Sequence, residues 1–411
     1  MPRIPPELCI RCKGYKMLCG LPRCPILDRF RSQIQAANLV RGTSVVGDSP
    51  PGVLVGEAGY PRVRVAYMIP PGVHGEEARY HEAPGEWSRR GEPLSRIIEL
   101  RSRLLAASMR VEVSNPWVLY EREVSLASVS ERPVDSEARL AKPPSPRLVF
   151  DGVSKPMGPS APAVRIRVSS NPRVPGALER VLWDDDLAAN MIVSLYESGL
   201  DVYTIQKALS LGMLGMQRRR RIVPTRWAIT AVDDTVSRHL RKVLRGMEEV
   251  GSVEVYRGEY IGNRFLIIVK PGPGSIEWIE AWHPSGLWTK STGKVTYWRL
   301  IEDPLGRASA SDGGFSAARL PVLEHLRRRG ARGDVVIIRE ILPTYYAPVG
   351  NWHIRETVAR ALEKGPVARD PTPRELRSIL GESLEIPVDE VARRSILLGL
   401  GRRVARITDY M

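Results

Sequence analysis

All four cysteines of this 411-residue chain lie in its first 24 residues, with the spacing C-x2-C-x6-C-x4-C. Four thiolates surround a zinc ion tetrahedrally, and a pair two residues apart directs both sulfurs at one metal. The spacing therefore predicts a structural zinc module over residues 1–27, with Cys9, Cys12, Cys19 and Cys24 as ligands. Two disulfides remain the alternative, because some intracellular proteins of hyperthermophiles use them.

Composition and charge narrow the class of partner. The chain is 43% hydrophobic with a formal net charge of +15, so it is expected to be globular and to attract phosphate-rich partners. Alternatively, the arginine-rich composition reflects a thermophilic host. The sequence has neither an apolar run of about 18 residues nor a signal peptide, so we expect a cytoplasmic protein with no membrane partner.

The order of apolar patterns predicts an α+β fold, with a mixed sheet core and helices but no regular βαβ rhythm. After the zinc module we expect an N-terminal α+β region over residues 28–128. A Pro/Ser-rich stretch, residues 129–164, is either a linker or a long loop. A central α+β core over 165–351 and a helical C-terminal region over 352–411 complete the chain.

Two acidic clusters are candidates for catalysis. Carboxylates from different elements can hold Mg²⁺ for two-metal phosphodiester chemistry. Alternatively, each cluster caps the helix that follows it, because aspartate accepts hydrogen bonds from free backbone amides. Sequence alone does not show whether the clusters meet in space. Their members are Asp184, Asp185 and Asp186, and Asp233 and Asp234.

A basic run beside an indole is the candidate nucleic-acid contact. Clustered arginines bind a phosphate backbone, and an indole stacks on a base. The alternative is a solvated basic turn. A strand is expected around residues 226–232, followed by an amphipathic helix with a basic face of Arg238, Arg241, Lys242 and Arg245. The candidate contact residues are Arg218, Arg219, Arg220, Arg221, Arg226 and Trp227.

Aromatic residues recur in the second half of the chain. They suit base stacking, although packing in a core is the more frequent role of tryptophan and tyrosine. These residues are Trp278, Trp282, Trp288, Trp298, Tyr345, Tyr346 and Trp352.

The last residues have the spacing of a sliding-clamp ligand, in which an aliphatic residue precedes an aromatic pair by three positions. Ile407, Tyr410 and Met411 occupy these positions, although Val404 replaces the usual glutamine and Met411 the second aromatic. A plain helix end is the alternative.

Five blocks together carry a family resemblance: CIRCKGYKMLCGLPRC, SPPGVLVGEAGYPRVRV, NPRVPGALERVLWDDDLAA, LGMLGMQRRRRIVPTRWAITAVDDTVS and YYAPVGNWHIRE. The chain resembles the archaeal Nre family of DNA repair proteins. The resemblance implies a role in surviving DNA damage, and Cys9, Cys12, Cys19 and Cys24 match the family's four cysteines. Many members end in a peptide that binds the sliding clamp PCNA.

Three hypotheses follow. The first is a zinc-containing, DNA-binding repair factor, nucleoid-associated and acting with PCNA. The second is a Mg²⁺-dependent nuclease that uses the two Asp clusters. The third is an RNA-binding zinc protein, which the same charge serves.

Overall fold

A computed structural model describes residues 8, 11–20, 24–40, 42–146, 157–284, 293–310 and 312–400. Within these residues the chain folds around two six-stranded mixed sheets and a short two-stranded one. The predicted α+β class is therefore confirmed. No helix in the described ranges has both the length and the apolar content to cross a bilayer.

The first sheet is built from the N-terminal half, in the order β1-β5-β6-β4-β3-β2. All neighbouring strands are antiparallel except β4 and β6, which are parallel. Alternating side chains of the central strands enter the core. The strands are β1 (Ser44–Ser49), β2 (Val53–Val55), β3 (Arg62–Ile69), β4 (Leu105–Glu112), β5 (Val134–Leu140) and β6 (Ser160–Val168).

Short helices surround this sheet and connect it to the second. Leu94, Ile97, Ile98 and Leu100 of α4 are buried, as their helical spacing predicts. The helices are α1 (Pro25–Asn38), α2 (Glu76–Tyr80), α3 (Pro84–Arg90), α4 (Leu94–Arg103), α5 (Trp117–Glu121), α6 (Val124–Ser128), α7 (Gly176–Leu182), α8 (Ala188–Glu197) and α9 (Val202–Ser210).

The second sheet has the order β11-β10-β13-β9-β8-β14, with only β10 and β13 parallel. Its central strand β13 is buried along its whole length, because helices cover both faces of the sheet. The strands are β8 (Glu254–Tyr260), β9 (Asn263–Lys270), β10 (Ile276–Trp282), β11 (Thr296–Glu302), β13 (Asp334–Ile341) and β14 (Ala368–Arg369), while β7 (Glu248–Glu249) pairs with β12 (Ala331–Arg332).

Helices α10 (Thr225–Leu244), α11 (Gly313–Arg329) and α12 (Trp352–Glu363) pack side by side. Helices α13 (Pro373–Ser383) and α14 (Val388–Arg394) cover the opposite face of the second sheet. Helix α13 begins at a capping box, in which Thr372 and Glu375 each accept a hydrogen bond from the other's backbone amide. From residue 352 to 400 the chain is mainly helical.

One hydrophobic core runs through both halves of the chain. It joins residues of the first sheet, such as Val65 and Leu105, to residues of the second, such as Ile267 and Ile337. Helix α10 contributes a stripe to this core through Ala228, Val232, Val236, Leu240 and Leu244. The two sheets therefore lie against a common helical layer.

Two local expectations differ from the structure. The predicted linker or loop, residues 129–164, contains β5 and the start of β6, because Val134, Ser136, Ala138 and Leu140 alternate into the core. Residues 147–156 lie outside the described ranges. The strand expected around residues 226–232 is the first part of α10, because apolar residues spaced by four outweigh its β-branched content.

Candidate nucleic-acid interface

A cleft of about 1230 Å³ lies between α10, the start of α11 and the ends of β10, β11 and β13. It is larger than the pockets that usually hold small molecules. Its basic residues outnumber its acidic ones: Arg226, Arg238, Arg241, Lys242, Arg245, Arg307, Arg319 and Arg339 against Asp234, Glu280, Glu302 and Asp312.

Ion pairs neutralise the floor of the cleft. Glu302 is fully buried and pairs with both Arg241 and Arg319, which are also buried. Arg319 extends the network to Asp234, with an Nη2–Oδ1 distance of 2.9 Å. Because two arginines face two carboxylates here, the floor contributes little net charge. Its role is to hold α10, α11 and β11 together.

The basic surplus lies on the rim. Arg238 and Lys242 are exposed on one face of α10 and Arg245 is exposed at its C-cap, at the helical spacing that the sequence indicated. The fourth residue of the predicted basic face, Arg241, is buried instead and donates to the carbonyl of Gly274 at 2.8 Å. Arg238 pairs with Asp234 at 2.7 Å and Arg245 donates to the carbonyl of Leu305 at 3.1 Å. Because both contacts are at the surface, a ligand can replace them without disturbing the core.

The inner end of the cleft is a hydrogen-bonded cluster around Arg339. Its Nη1 donates to Glu280 at 2.7 Å and its Nε to the side-chain oxygen of Asn263 at 2.9 Å. Burial raises the pKa of Glu280 despite Arg339, and the charge of Asp312 adds to the rise. Gly314 leaves room for the Asp312 carboxylate beside this cluster, since a Cβ at residue 314 would lie 3.1 Å from Asp312 Oδ1.

His353 belongs to the same cluster and is buried. Its Nδ1 lies 2.6 Å from the carbonyl oxygen of Gly350, which only accepts, so Nδ1 carries the hydrogen. Its Nε2 then accepts from Arg339 Nη2 at 3.1 Å. Burial and the guanidinium of Arg339 lower the pKa of His353 to about 3. The imidazole is therefore neutral at physiological pH.

The arginine run is divided by the fold. Arg220 is buried and donates to the carbonyls of Gly215, Leu182 and Asp184 at 2.7–2.9 Å, so it stabilises the turn. Its three neighbours Arg218, Arg219 and Arg221 are exposed but do not line the cleft. Of the predicted contact residues, the cleft includes Arg226 and Trp227.

The first acidic cluster lies before α8. Asp186 Oδ1 accepts from the Leu187 amide at 2.6 Å and from Asn190 at 2.9 Å. Asp185 accepts from the backbone amide of Gln217 at 2.7 Å. The N-cap residue of α8 is Leu187 and no side chain caps this helix, so the carboxylates satisfy nearby donors without capping α8.

The second acidic cluster lies inside α10, not before a helix, so the capping interpretation is wrong for it. Asp233 is fully buried, pairs with Arg355 of α12 and accepts from Gln206 at 2.8 Å. Asp234 pairs with Arg238 at 2.7 Å and with Arg319. The sequence missed this role because Arg355, Gln206 and Arg319 are distant in the chain from the two aspartates.

The arrangement of carboxylates does not favour a metal-dependent nuclease. Across the described ranges, no three His, Cys, Asp or Glu side chains are grouped as a metal site. Within the cleft, arginines engage Asp234, Glu280 and Glu302, while Asp312 caps α11 by accepting from Phe315 at 2.7 Å. The Mg²⁺ hypothesis for the Asp clusters thus gains no support from the geometry.

Three of the four cysteines are described, and Cys9 lies outside the described residues. Among the described residues, Cys12, Cys19 and Cys24 form no disulfide and are not grouped as a metal site. Cys12 is buried, and its carbonyl accepts from the amides of Tyr15 and Lys16. Burial opposes the shift, but surrounding backbone amides lower the pKa of the Cys12 thiol. Such amides stabilise a thiolate, which is the form that binds a metal.

The clamp-ligand residues Ile407, Tyr410 and Met411 also lie outside the described residues, as does Trp288. Most of the other aromatic candidates pack in the core, and Trp298 is 49% exposed. The residues that sequence reasoning missed are the charged members of apolar strands and helices. Their signal was a charged residue within an otherwise largely apolar strand: Glu280, Glu302 and Arg339.

Two mixed sheets on one core, with a basic cleft beside a long helix, define an α+β protein with a candidate nucleic-acid interface. The chain belongs to the archaeal Nre family. Residues 18–289 match the family model described as "Archaeal Nre, N-terminal" and residues 302–410 match "Archaeal Nre, C-terminal".

Curated relatives cover nearly the whole chain. DNA repair protein NreB of Archaeoglobus fulgidus is 35% identical over 96% of this chain and 98% of its own length. DNA repair protein NreA of the same organism is 34% identical over 87% of this chain and 89% of its own. NreA of Haloferax volcanii is 35% identical over 90% and 89%. No solved structure matches the chain.

Proposed function

We propose that this chain is a DNA repair protein that binds DNA in the basic cleft beside α10. The observation that carries the proposal is the row of exposed cations Arg238, Lys242 and Arg245 above a neutralised floor. Cations at the rim contact phosphates while keeping the core intact. The names of the relatives support the repair role, and a cytoplasmic, nucleoid-associated location accords with it.

The test removes the three rim charges together, as Arg238→Gln, Lys242→Gln and Arg245→Gln. Losing three phosphate contacts reduces the slope of log K against log salt by about 2.7 for duplex DNA and about 2.1 for single strands. Between 50 and 200 mM salt, the wild-type protein then loses roughly 40-fold more duplex affinity than the variant. Fluorescence anisotropy with labelled DNA measures both slopes.

A matched control carries the same charge change outside the cleft, as Arg79→Gln, Arg89→Gln and Arg90→Gln, which are exposed. Equal slopes for the two triple variants refute the cleft as the binding site. The same measurement is made with an RNA of the same length as the DNA. Tighter binding of RNA than of DNA at every salt concentration favours the RNA-binding hypothesis instead.

We also propose that Cys9, Cys12, Cys19 and Cys24 hold a structural zinc ion. Backbone conformations with positive φ at Lys13 and Gly14 bend the chain directly after Cys12, as a metal-binding turn requires. Four thiolates leave no open coordination position, so the ion would supply folding energy and no catalysis.

Binding to PCNA through Ile407, Tyr410 and Met411 is a further part of the proposed function. Its support is the spacing of these residues at the end of the chain. Such binding would place the repair protein at sites of DNA synthesis.

A further inference from the structure

Two half-exposed aromatic rings form a pair at the mouth of the cleft. Tyr60, before β3, and Trp227, in the first turn of α10, have ring centroids 5.4 Å apart. Their exposed fractions are 52% and 48%. Trp227 also lines the cleft. Contiguous exposed apolar surface that is rimmed by polar residues is typical of a binding site.

Basic side chains frame this aromatic pair. Arg226 is exposed beside Trp227 and pairs with Glu57 at 3.0 Å, an exposed contact that a phosphate can replace. Arg62 and Arg110 are exposed on the adjoining strands β3 and β4. A ring flanked by cations is the arrangement that binds bases by stacking and the backbone by charge.

We propose that Tyr60 and Trp227 form a stacking platform for unpaired bases, and that the cleft therefore prefers single-stranded segments of DNA to intact duplex. The inference rests on the proposed function of the cleft. In a duplex the faces of the bases are already stacked on one another and unavailable to a side chain. Rim cations, by contrast, act on the phosphates of either form.

The experiment compares three probes of equal length: single-stranded DNA, duplex, and duplex with a short single-stranded gap. Loss of one stacked base costs about 1–3 kcal/mol, or about 5- to 150-fold in affinity. Trp227→Ala should weaken single-stranded and gapped DNA by this factor and change duplex affinity less than about twofold. Trp227→Phe keeps a ring and should restore most of the loss.

Trp183→Ala is the matched control, because Trp183 is 61% exposed and does not line the cleft. Equal losses on single-stranded DNA and duplex, or no loss on either, overturn the platform. If the triple variant of Arg238, Lys242 and Arg245 loses DNA affinity but Trp227→Ala does not, DNA binding in the cleft is supported and the stacking platform is refuted. If neither variant changes the binding of any probe, the proposed function itself falls.

Discussion

The buried ion pair between Asp233 and Arg355 offers a direct test of whether Asp233 is structural or catalytic. Both side chains are buried, and Gln206 donates to the second carboxylate oxygen at 2.8 Å. Asp233→Ala leaves the Arg355 charge without a counter-charge in the core. Removing one partner of a buried pair costs about 3–5 kcal/mol, and we expect this loss in the free energy of unfolding.

Urea denaturation followed by circular dichroism measures the loss. Arg355→Met should cost a similar amount, because it strands the opposite charge. The double variant Asp233→Ala with Arg355→Met should cost clearly less than the sum of the two single variants, since neither charge is then left unpaired in the core. The difference between the double variant and the sum gives the coupling energy of the pair.

Asp186→Ala is the matched control, because Asp186 belongs to the other acidic cluster and is exposed. It satisfies backbone and side-chain donors at the start of α8, so its loss should cost about 1 kcal/mol or less. If Asp233→Ala unfolds within about 1 kcal/mol of the wild type, the structural role is wrong. A stable Asp233→Ala variant that lost Mg²⁺-dependent cleavage would instead support the nuclease hypothesis.

Three further outcomes are expected. Reduced protein should contain one zinc ion per chain by elemental analysis, and Cys12→Ser should lose it; metal-free wild-type protein contradicts the zinc proposal. Deleting Ile407–Met411 should abolish capture by immobilised PCNA, and the idea fails if the intact protein is not captured. Because the pKa of His353 is about 3 in the fold and about 6.5 unfolded, the unfolded state binds more protons as the pH falls below 6.5. From pH 7.5 to 5.5 the free energy of unfolding of the wild type should therefore fall by about 1.4 kcal/mol more than that of His353→Gln, as urea denaturation at the two pH values measures. Equal losses refute a neutral buried imidazole.

Patterns of short range were sufficient to predict the class of fold. Helix α4 follows from the spacing of Ile97, Leu100 and Leu104, and α13 from its capping box at Thr372. The error at residues 226–232 has a local cause. Ile229 and Val232 favour a strand, but Ala228, Val232 and Val236 form a stripe at helical spacing that the core buries.

Short-range patterns could not predict the cleft, because the residues that line it come from segments far apart in the chain. Arg319 and Glu302 belong to a helix and a strand, and Asp234 joins them from α10. The helical pattern predicted that Arg238, Lys242 and Arg245 share one face of a helix. It could not predict which other elements lie beside that face. For the same reason the sequence did not predict that Arg220 is buried, because the carbonyls that accept its hydrogen bonds belong to Leu182 and Asp184, far from it in the chain.

The buried floor of the cleft and its exposed rim differ in what their variants can show about ligand binding. Arg241 and Arg319 line the cleft, but both pair with buried Glu302, so replacing either leaves one guanidinium to balance the two carboxylates of the floor. We expect such variants to lose stability, so a loss of binding in them would not identify the ligand. Replacing exposed Lys242 or Arg245 leaves every buried ion pair of the floor intact. A loss of DNA affinity in these rim variants, at unchanged stability, is therefore the result that identifies phosphate contact in the cleft.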